Sequence, residues 1–177
     1  DVMMSPALQG FELALYDIDP QRLKDSEQML LNLKETLRST CRIKAYSDRK
    51  EALRGAKYVV NAIQVGGYEP CTVTDFEVPK KYGLRQTIGD TVGIGGVFRA
   101  LRTIPVMLDF ARDMQEVCPD AWFLNYTNPM AVLTNVMITH GGIKTVGLCH
   151  SVQVCVPDLF RHLGMDATGV QSKIAGI

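Results

Sequence analysis

Phe11-Glu-Leu-Ala-Leu-Tyr-Asp-Ile-Asp-Pro20 is the stretch that decides the predicted fold. Its apolar first half is typical of a buried strand, and an acidic turn follows directly. Pro20 suits the first turn of a helix, and apolar residues recur at helical spacing from there to about Thr40. The stretch therefore predicts a strand that leads into a helix, with the carboxylate of Asp17 at the carboxyl end of the strand.

The rest of the chain repeats this alternation of apolar runs and helical patterns. Further strands are predicted at 42–46, 58–63, 121–126, 145–148 and 172–177, and further helices after Ser47 and at 97–117, 130–140 and 157–163. A long irregular segment is predicted for 66–96, and loops of that length in compact domains are usually functional. Strands that alternate with helices favour an α/β fold with a doubly wound parallel sheet.

The composition excludes several classes of protein. The chain has 177 residues, of which 46% are hydrophobic and 21% charged, which argues against disorder. Lys+Arg and Asp+Glu number 19 each, so the zero formal charge favours neither nucleic acid nor an anionic membrane as a partner. No apolar run approaches the roughly 18 residues of a spanning helix. Five scattered cysteines argue against a disulfide scaffold, so we expect a cytoplasmic protein in which a metal-binding thiol is worth seeking.

Polar residues cluster where the predicted strands end. Asp17, Asn61, Asn125 and Cys149 all fall at or near carboxyl ends, where doubly wound sheets bind their ligands. An acidic residue at the end of the second strand of a Rossmann unit binds the ribose hydroxyls of NAD. The glycine fingerprint that should precede it by about 20 residues would lie before the first residue of this chain. Asp17 is therefore either a simple turn residue or the ribose ligand of a chain that lacks its first strand and phosphate loop.

Two other motifs carry candidate chemistry. Cys149-His150 offers a thiolate and an imidazole, which can bind a transition metal or act as acid and base. Neighbours on a strand point to opposite faces, so both can reach one ligand only where the chain turns. The alternative is a buried cysteine beside a loop histidine. Asn128 precedes a proline and could present its amide to a ligand, and Asp90 could bind sugar hydroxyls, although both residues are also common in turns.

Five stretches together resemble glycoside hydrolase family 4, the NAD- and manganese-dependent glycosidases. They are Leu15-Tyr-Asp-Ile-Asp-Pro20, Gly66-Gly-Tyr-Glu-Pro-Cys-Thr-Val-Thr-Asp-Phe-Glu77, Leu101-Arg-Thr-Ile-Pro105, Asn125-Tyr-Thr-Asn-Pro-Met130 and Gly147-Leu-Cys-His-Ser-Val-Gln153. Each stretch is weakly specific alone, but their order and spacing cover essentially the whole chain. The α-galactosidase branch of the family is the most similar.

The resemblance implies a fold like that of lactate and malate dehydrogenases, with NAD and Mn2+ as cofactors. It also implies an unusual hydrolysis of α-galactosides, which does not use two carboxylates. NAD+ takes hydride from C3 of the sugar, a metal-stabilised enolate forms after loss of the C2 proton, the aglycone leaves C1, water adds, and hydride returns. No arginine lies among residues 71–77, where relatives that act on phosphorylated sugars carry one. An unphosphorylated sugar is therefore expected.

The resemblance also implies roles for individual residues. They are Cys149 as metal ligand, His150 as catalytic acid, Asn128 and Asp90 as sugar ligands, Asp17 as ribose ligand, and Asn61 and Gln64 as residues that line the cofactor.

Chains of this family are more than twice as long as this one. We therefore expect residues 1–177 to be a partial NAD-binding domain, without its first strand and phosphate loop, without a second metal-ligating histidine and without the C-terminal catalytic half. Such a fragment is expected to be inactive, and its parent to form a homo-oligomer, a dimer or tetramer.

Other functions remain open at this point. An α-glucosidase or α-galacturonidase of the same family is one alternative. An NAD-dependent 2-hydroxy acid dehydrogenase on the same fold is another, and it would not need a Cys-His metal site. A non-enzymatic NAD-sensing module would bind the cofactor without turnover.

Overall fold

The computed structural model of the protein describes residues 2–5, 8, 10–86, 91 and 93–173. Strands and helices alternate along these ranges. The strands are Glu12–Tyr16 (β1), Arg42–Tyr46 (β2), Tyr58–Asn61 (β3), Trp122–Asn125 (β4) and Lys144–Gly147 (β5). The helices are Pro20–Leu37 (α1), Arg49–Leu53 (α2), Val73–Lys80 (α3), Gly93–Val117 (α4), Met130–His140 (α5) and His150–His162 (α6). A short 3-10 turn covers Val2–Met4, and a π-helical segment covers Gly67–Thr72.

All strand pairs are parallel, as the alternation of elements predicts. β1 pairs with β2, and β3, β4 and β5 form a second sheet in that order. The doubly wound fold has six strands in the spatial order 3-2-1-4-5-6. In that numbering, β1 and β2 of this chain correspond to strands 2 and 3, and β3, β4 and β5 correspond to strands 4, 5 and 6. Among the described residues, no strand pairs with both β1 and β3, so the two sheets stay separate. The predicted α/β class and doubly wound topology are confirmed.

Side chains of α2 and α4 connect the two sheets. The ring of Tyr16, at the end of β1, packs edge-on against Phe110 of α4, with 6.1 Å between ring centroids. Arg49 of α2 lies over the same Phe110 ring and donates from Nε to Asp113 at 2.5 Å. These half-buried contacts hold the β1–β2 pair against the larger half of the molecule.

Helix α4 supplies one wall of the main core. Its buried face includes Met107 and Met114, which pack with Phe123 of β4 and with Leu133 and Met137 of α5. The spacing of these positions follows the helical period, so one apolar stripe faces the three-stranded sheet. Among the helices of the described ranges, none combines the length and apolar character that crossing a membrane requires.

Helix α1 begins where the sequence indicates. The Asp19 carboxylate accepts hydrogen bonds from the backbone N–H groups of Gln21 and Arg22, at 2.9 and 3.1 Å. This N-cap satisfies two donors that the first helical turn cannot pair, and Pro20 at the first position needs none. The bond from Arg22, and then that from Gln21, lowers the pKa of Asp19.

Several predicted boundaries are wrong. The segment 66–96 is not irregular throughout, because it contains the π-helical segment and α3. α2 is capped by Asp48 rather than by Ser47, since the Asp48 carboxylate accepts from the N–H of Glu51 at 2.9 Å. α6 begins at 150 rather than at 157. Residues 172–173 form no strand, and 174–177 lie outside the described residues.

Candidate functional site

The carboxyl ends of β3, β4 and β5 lie level with one another. In the parallel register, Asn61 pairs with Asn125, and Asn125 pairs with Gly147. The next N–H along the chain, that of Leu148, donates to the Asn125 carbonyl at 2.9 Å. Segments that follow the three strands therefore leave the sheet at a common edge, which is where doubly wound folds bind ligands.

A buried polar network joins two of these strand ends. The Asn61 amide donates to Oδ1 of Asn125 and to Oγ1 of Thr127, both at 3.0 Å. Oδ1 of Asn125 also accepts from the N–H of Thr127 at 3.0 Å, and the Thr127 hydroxyl donates to the carbonyl of Ile63 at 3.0 Å. All three side chains are less than 5% exposed. The network therefore fixes the path of the chain as it leaves β3 and β4.

The role predicted for Asn61 is to line the cofactor. In this structure its amide donates within the buried network, and its contact with a bound cofactor stays a prediction. Sequence reasoning assigned no function to Thr127, although the Asn-x-Thr spacing is that of an Asx-turn, in which a side-chain oxygen accepts from the N–H two residues on.

Gln64 lies in the segment that follows β3. Its amide donates to Oγ1 of Thr72 at 3.1 Å, and that hydroxyl donates to the Gly67 carbonyl at 3.3 Å. Gly66 has a φ of +87°, and a Cβ built on it would overlap Sγ of Cys71 and lie 2.8 Å from its Cβ. Glycine is therefore required there for both its backbone conformation and its size. The exposed Gln64 side chain is held by its own loop, and its contact with a cofactor stays a prediction.

The segment that follows β3 is also held by an ion pair that the sequence analysis did not predict. The Arg102 guanidinium donates to both oxygens of Asp75, at 3.0 and 2.5 Å, and its Nε donates to the Val65 carbonyl at 3.1 Å. The Asp75 side chain is 3% exposed. The hydrogen bond to Asp75 raises the pKa of Arg102, so the guanidinium is firmly charged. Because Asp75 lies in the segment predicted to be irregular, no periodicity pointed to this pair.

Asn128 follows β4 and is held through its backbone. Its carbonyl accepts a hydrogen bond from Nε of Arg99, on α4, at 3.2 Å. The peptide bond to Pro129 is cis, and Pro129 is the N-cap position of α5. This places Asn128 at the same edge of the sheet as Gln64. Its amide as a sugar ligand stays a prediction, and Asp90, the other predicted sugar ligand, lies outside the described residues.

A cleft of about 380 Å³ opens where β1 and β2 end. Its lining includes Tyr16, Asp17, Ala45 and Ser47. Oδ1 of Asp17 accepts from the N–H of Asp19 at 2.9 Å, which fixes the carboxylate, while Oδ2 lies 3.4 Å from the exposed guanidinium of Arg22. A half-open cleft with a fixed carboxylate suits the hydroxyls of a ribose, and the residues present fit the adenosine end of NAD.

Cys149 is the N-cap residue of α6, and its side chain is exposed. β5 ends at Gly147 and the helix begins at His150, so the chain turns between the cysteine and the histidine, as a shared ligand would require. An exposed cysteine side chain at this position is accessible to a cation or an electrophilic ligand. The side chain of His150 lies outside the described part of the molecule, so its predicted role as an acid stays a prediction.

Cys149 is a candidate metal ligand in the part of the chain that the structure describes. Within 2–5, 8, 10–86, 91 and 93–173, no group of three or more His, Cys, Asp or Glu side chains could hold a metal ion. Cys149 is an exposed thiol, and its role as a metal ligand stays a prediction. Cys155, on α6, is also exposed.

Comparisons with known proteins agree with this geometry. The chain is 64% identical over 177 residues to an α-galactosidase of Bacillus subtilis, all of the chain aligning with 41% of that protein. A 6-phospho-β-glucosidase of Thermotoga maritima, solved with manganese, NAD+ and glucose-6-phosphate, superposes with a TM-score of 0.78 at 23% identity, over 92% of this chain and 38% of that one.

The fold extends beyond glycosidases. A lactate dehydrogenase of Cryptosporidium parvum, solved with lactic acid and nicotinamide adenine dinucleotide, superposes with a TM-score of 0.64 at 16% identity, over 89% of this chain and 44% of that one. This confirms the predicted dehydrogenase-like architecture. The chain spans about two fifths of the length of these proteins. The family model for family 4 glycosyl hydrolases matches residues 1–165, and the chain therefore belongs to that family.

Proposed function

We propose that the full-length protein containing this chain is an α-galactosidase that uses NAD+ and a divalent metal ion, Mn2+ among them. The observation that carries the proposal is the 64% identity to a curated α-galactosidase over every residue of the chain. Membership of the family and the strand-end position of Cys149 support it. The 6-phospho-β-glucosidase with manganese and NAD+ supports the choice of cofactors.

In this proposal the present chain supplies the cofactor half of the active site. The cleft at β1 and β2 holds the adenosine ribose on Asp17. The buried Asn61–Asn125 network keeps the ends of β3 and β4 level, so that the segments bearing Gln64 and Asn128 face the same ligand space. Gln64 then lies along the cofactor, and Asn128 binds a sugar hydroxyl.

The reaction joins this half to a metal site. When bound, NAD+ accepts and returns hydride, and the metal ion stabilises negative charge next to a ketone as a Lewis acid. Cys149 holds the metal, and His150 gives a proton to the departing glycosidic oxygen. Asp90 binds the sugar. The sugar is unphosphorylated, because residues 71–77 lack the arginine that the resemblance implies there for relatives acting on phosphorylated sugars.

The experiment uses the full-length protein with p-nitrophenyl α-galactoside and a thiol reductant. We expect p-nitrophenol release that requires both NAD+ and Mn2+ and stops on addition of EDTA. Release that ignores both additions would overturn the proposal in favour of ordinary hydrolysis. Parallel reactions with the α-glucoside and α-galacturonide test the alternative sugars. Steady NADH formation from a 2-hydroxy acid, without p-nitrophenol release, would make the protein a dehydrogenase.

Two further properties stay predictions. The parent is expected to form a homo-oligomer and to be cytoplasmic. Light scattering on the purified full-length protein measures the first, and cell fractionation measures the second.

A further inference from the structure

Two arginines of α4 reach the two segments that carry the predicted cofactor and sugar ligands. Arg102 donates from Nε to the Val65 carbonyl, one residue after Gln64. Arg99 donates from Nε to the carbonyl of Asn128 itself. The two arginines are three residues apart in one helix, so they occupy neighbouring positions on its surface.

The sheet fixes the other side of the same arrangement. Asn61 and Asn125 are paired in register, so the segments after β3 and β4 start level. A loop fixed at its start by the sheet and further along by a rigid helix has little freedom between those points. Both arginines bind backbone carbonyls, so these contacts do not depend on which side chains the loop residues carry.

We propose that Arg99 and Arg102 are positioning residues, which set the geometry of the sugar-binding and cofactor-binding segments respectively. This inference rests on the proposed function. The buried carboxylate of Asp75 orients the Arg102 fork, since it takes both terminal nitrogens and leaves Nε for Val65. Lysine cannot replace this arrangement, because a single ammonium lacks the planar fork that binds a carboxylate and a carbonyl together.

The two contacts predict effects on different ligands. R102K should weaken NAD+ binding by about 10-fold while changing the KM for the galactoside less than about 2-fold. R99K should raise the KM for the galactoside by about 10-fold with a smaller effect on NAD+ binding. In both variants kcat at saturation should fall less than the binding constants change, because a positioning residue acts on a ligand only through the segment that it holds.

Matched variants separate positioning from general stability. R112K changes an exposed arginine of the same helix, ion-paired with Asp109, and should change neither constant. V65A removes the side chain but keeps the carbonyl that Arg102 binds, so it should resemble the wild type. D75N keeps the shape of the buried carboxylate and should weaken NAD+ binding in the same direction as R102K, which keeps the test available if R102K does not fold.

The measurements are NAD+ affinity by titration calorimetry, steady-state kinetics and Tm, all on the full-length protein. The crossed pattern of affected ligands supports the inference. The inference would be overturned if R99K and R102K lowered only Tm, while their NAD+ affinity and their KM for the galactoside stayed within about 2-fold of the values for R112K. The proposed function would then remain intact. A wild-type protein that binds no NAD+ would overturn the proposed function, and this inference with it.

Discussion

The side-chain amide of Asn61 donates to Oδ1 of Asn125 at 3.0 Å, across the ends of two neighbouring parallel strands. Backbone ladders align strands along their length, but they do not fix where the chain goes after the last pair. Here a buried amide pair, closed by Thr127, performs that task. The polar residues where β3 and β4 end are thus as deeply buried as the apolar residues of the core.

Asn61→Ala removes the donor that serves both Asn125 and Thr127. We expect the full-length protein to lose about 1–3 kcal/mol of unfolding free energy, because two buried acceptors each lose one donor without access to water, although Oδ1 of Asn125 keeps the N–H of Thr127. Urea titration followed by circular dichroism measures the loss. Asn135→Ala, at an exposed position of α5, is the control and should stay within about 0.5 kcal/mol of the wild type. Equal midpoints for the two variants would show that the network does not stabilise the fold.

Gly66→Ala tests the close approach of Cys71 to the backbone after β3. The new methyl group would overlap the cysteine side chain, and a φ of +87° is energetically unfavourable for alanine. Gly55→Ala is the matched control, since its φ is +69° and no atom lies within 4 Å of the added Cβ. We expect Gly66→Ala to lower unfolding free energy by about 1–3 kcal/mol more than Gly55→Ala does. Equal losses in urea titration would mean that Cys71 moves aside freely.

Asp17→Asn tests the cleft at β1 and β2. If the carboxylate binds the ribose hydroxyls, its loss should weaken NAD+ binding by about 10-fold or more and lower discrimination against NADP+. Titration calorimetry with each nucleotide measures both effects. Asp25→Asn, on the exposed side of α1, is the control and should leave both affinities unchanged. Unchanged NAD+ binding in Asp17→Asn would return this residue to the simple turn role.

Cys149→Ser tests the metal site. Loss of a thiolate ligand should reduce Mn2+-dependent activity by about 100-fold and raise the Mn2+ concentration needed for half activation. Cys155→Ser changes another exposed cysteine of the same helix and should retain activity. Activity of Cys149→Ser with an unchanged Mn2+ requirement would remove the cysteine from the metal site.

Asp19 predicts a pH dependence of stability. Backbone N–H groups lower its pKa below the ordinary 3.8, so its charged form is stabilised on folding. That contribution is present above the ordinary pKa and is lost as the pH falls through the lowered value. The stability difference between wild type and Asp19→Ala should therefore be largest near neutral pH and shrink in acid. Asp19→Asn keeps a neutral cap and should show no such titration. Urea midpoints at several pH values test this, and a constant difference would contradict it.

The spacing of apolar residues, together with turn and capping residues, was enough to predict most helices and strands. The strand at 42–46 and the helix at 130–140 are confirmed with the boundaries predicted, and Pro20 marks the start of α1. These elements carry their signals locally, in apolar spacing or in a cap. The parallel topology followed from their alternation alone.

Elements held by distant partners were missed. α3 contains Pro79 and no helical apolar pattern, and its Asp75 is buried against Arg102, 27 residues further along the chain. The early start of α6 was also missed, and Pro157, with which the predicted helix begins, lies inside the observed one. In the site, the strand-end residues were predicted from their positions. The arginines of α4 were not, because backbone carbonyls as partners leave no mark in a sequence.

The register of α4 has a consequence for how chains of this kind can diverge. This one helix holds the segment after β4 through Arg99, holds the segment after β3 through Arg102, and contributes Met107 to the core. Each residue added to a helix rotates the following side chains by about 100° around its axis. Inserting or deleting one residue between these three would swing one group of contacts away from its partners, whereas exchanging side chains on the opposite face would not. Substitutions can therefore accumulate on the opposite face of α4, whereas insertions and deletions are expected only in the segments before and after the helix.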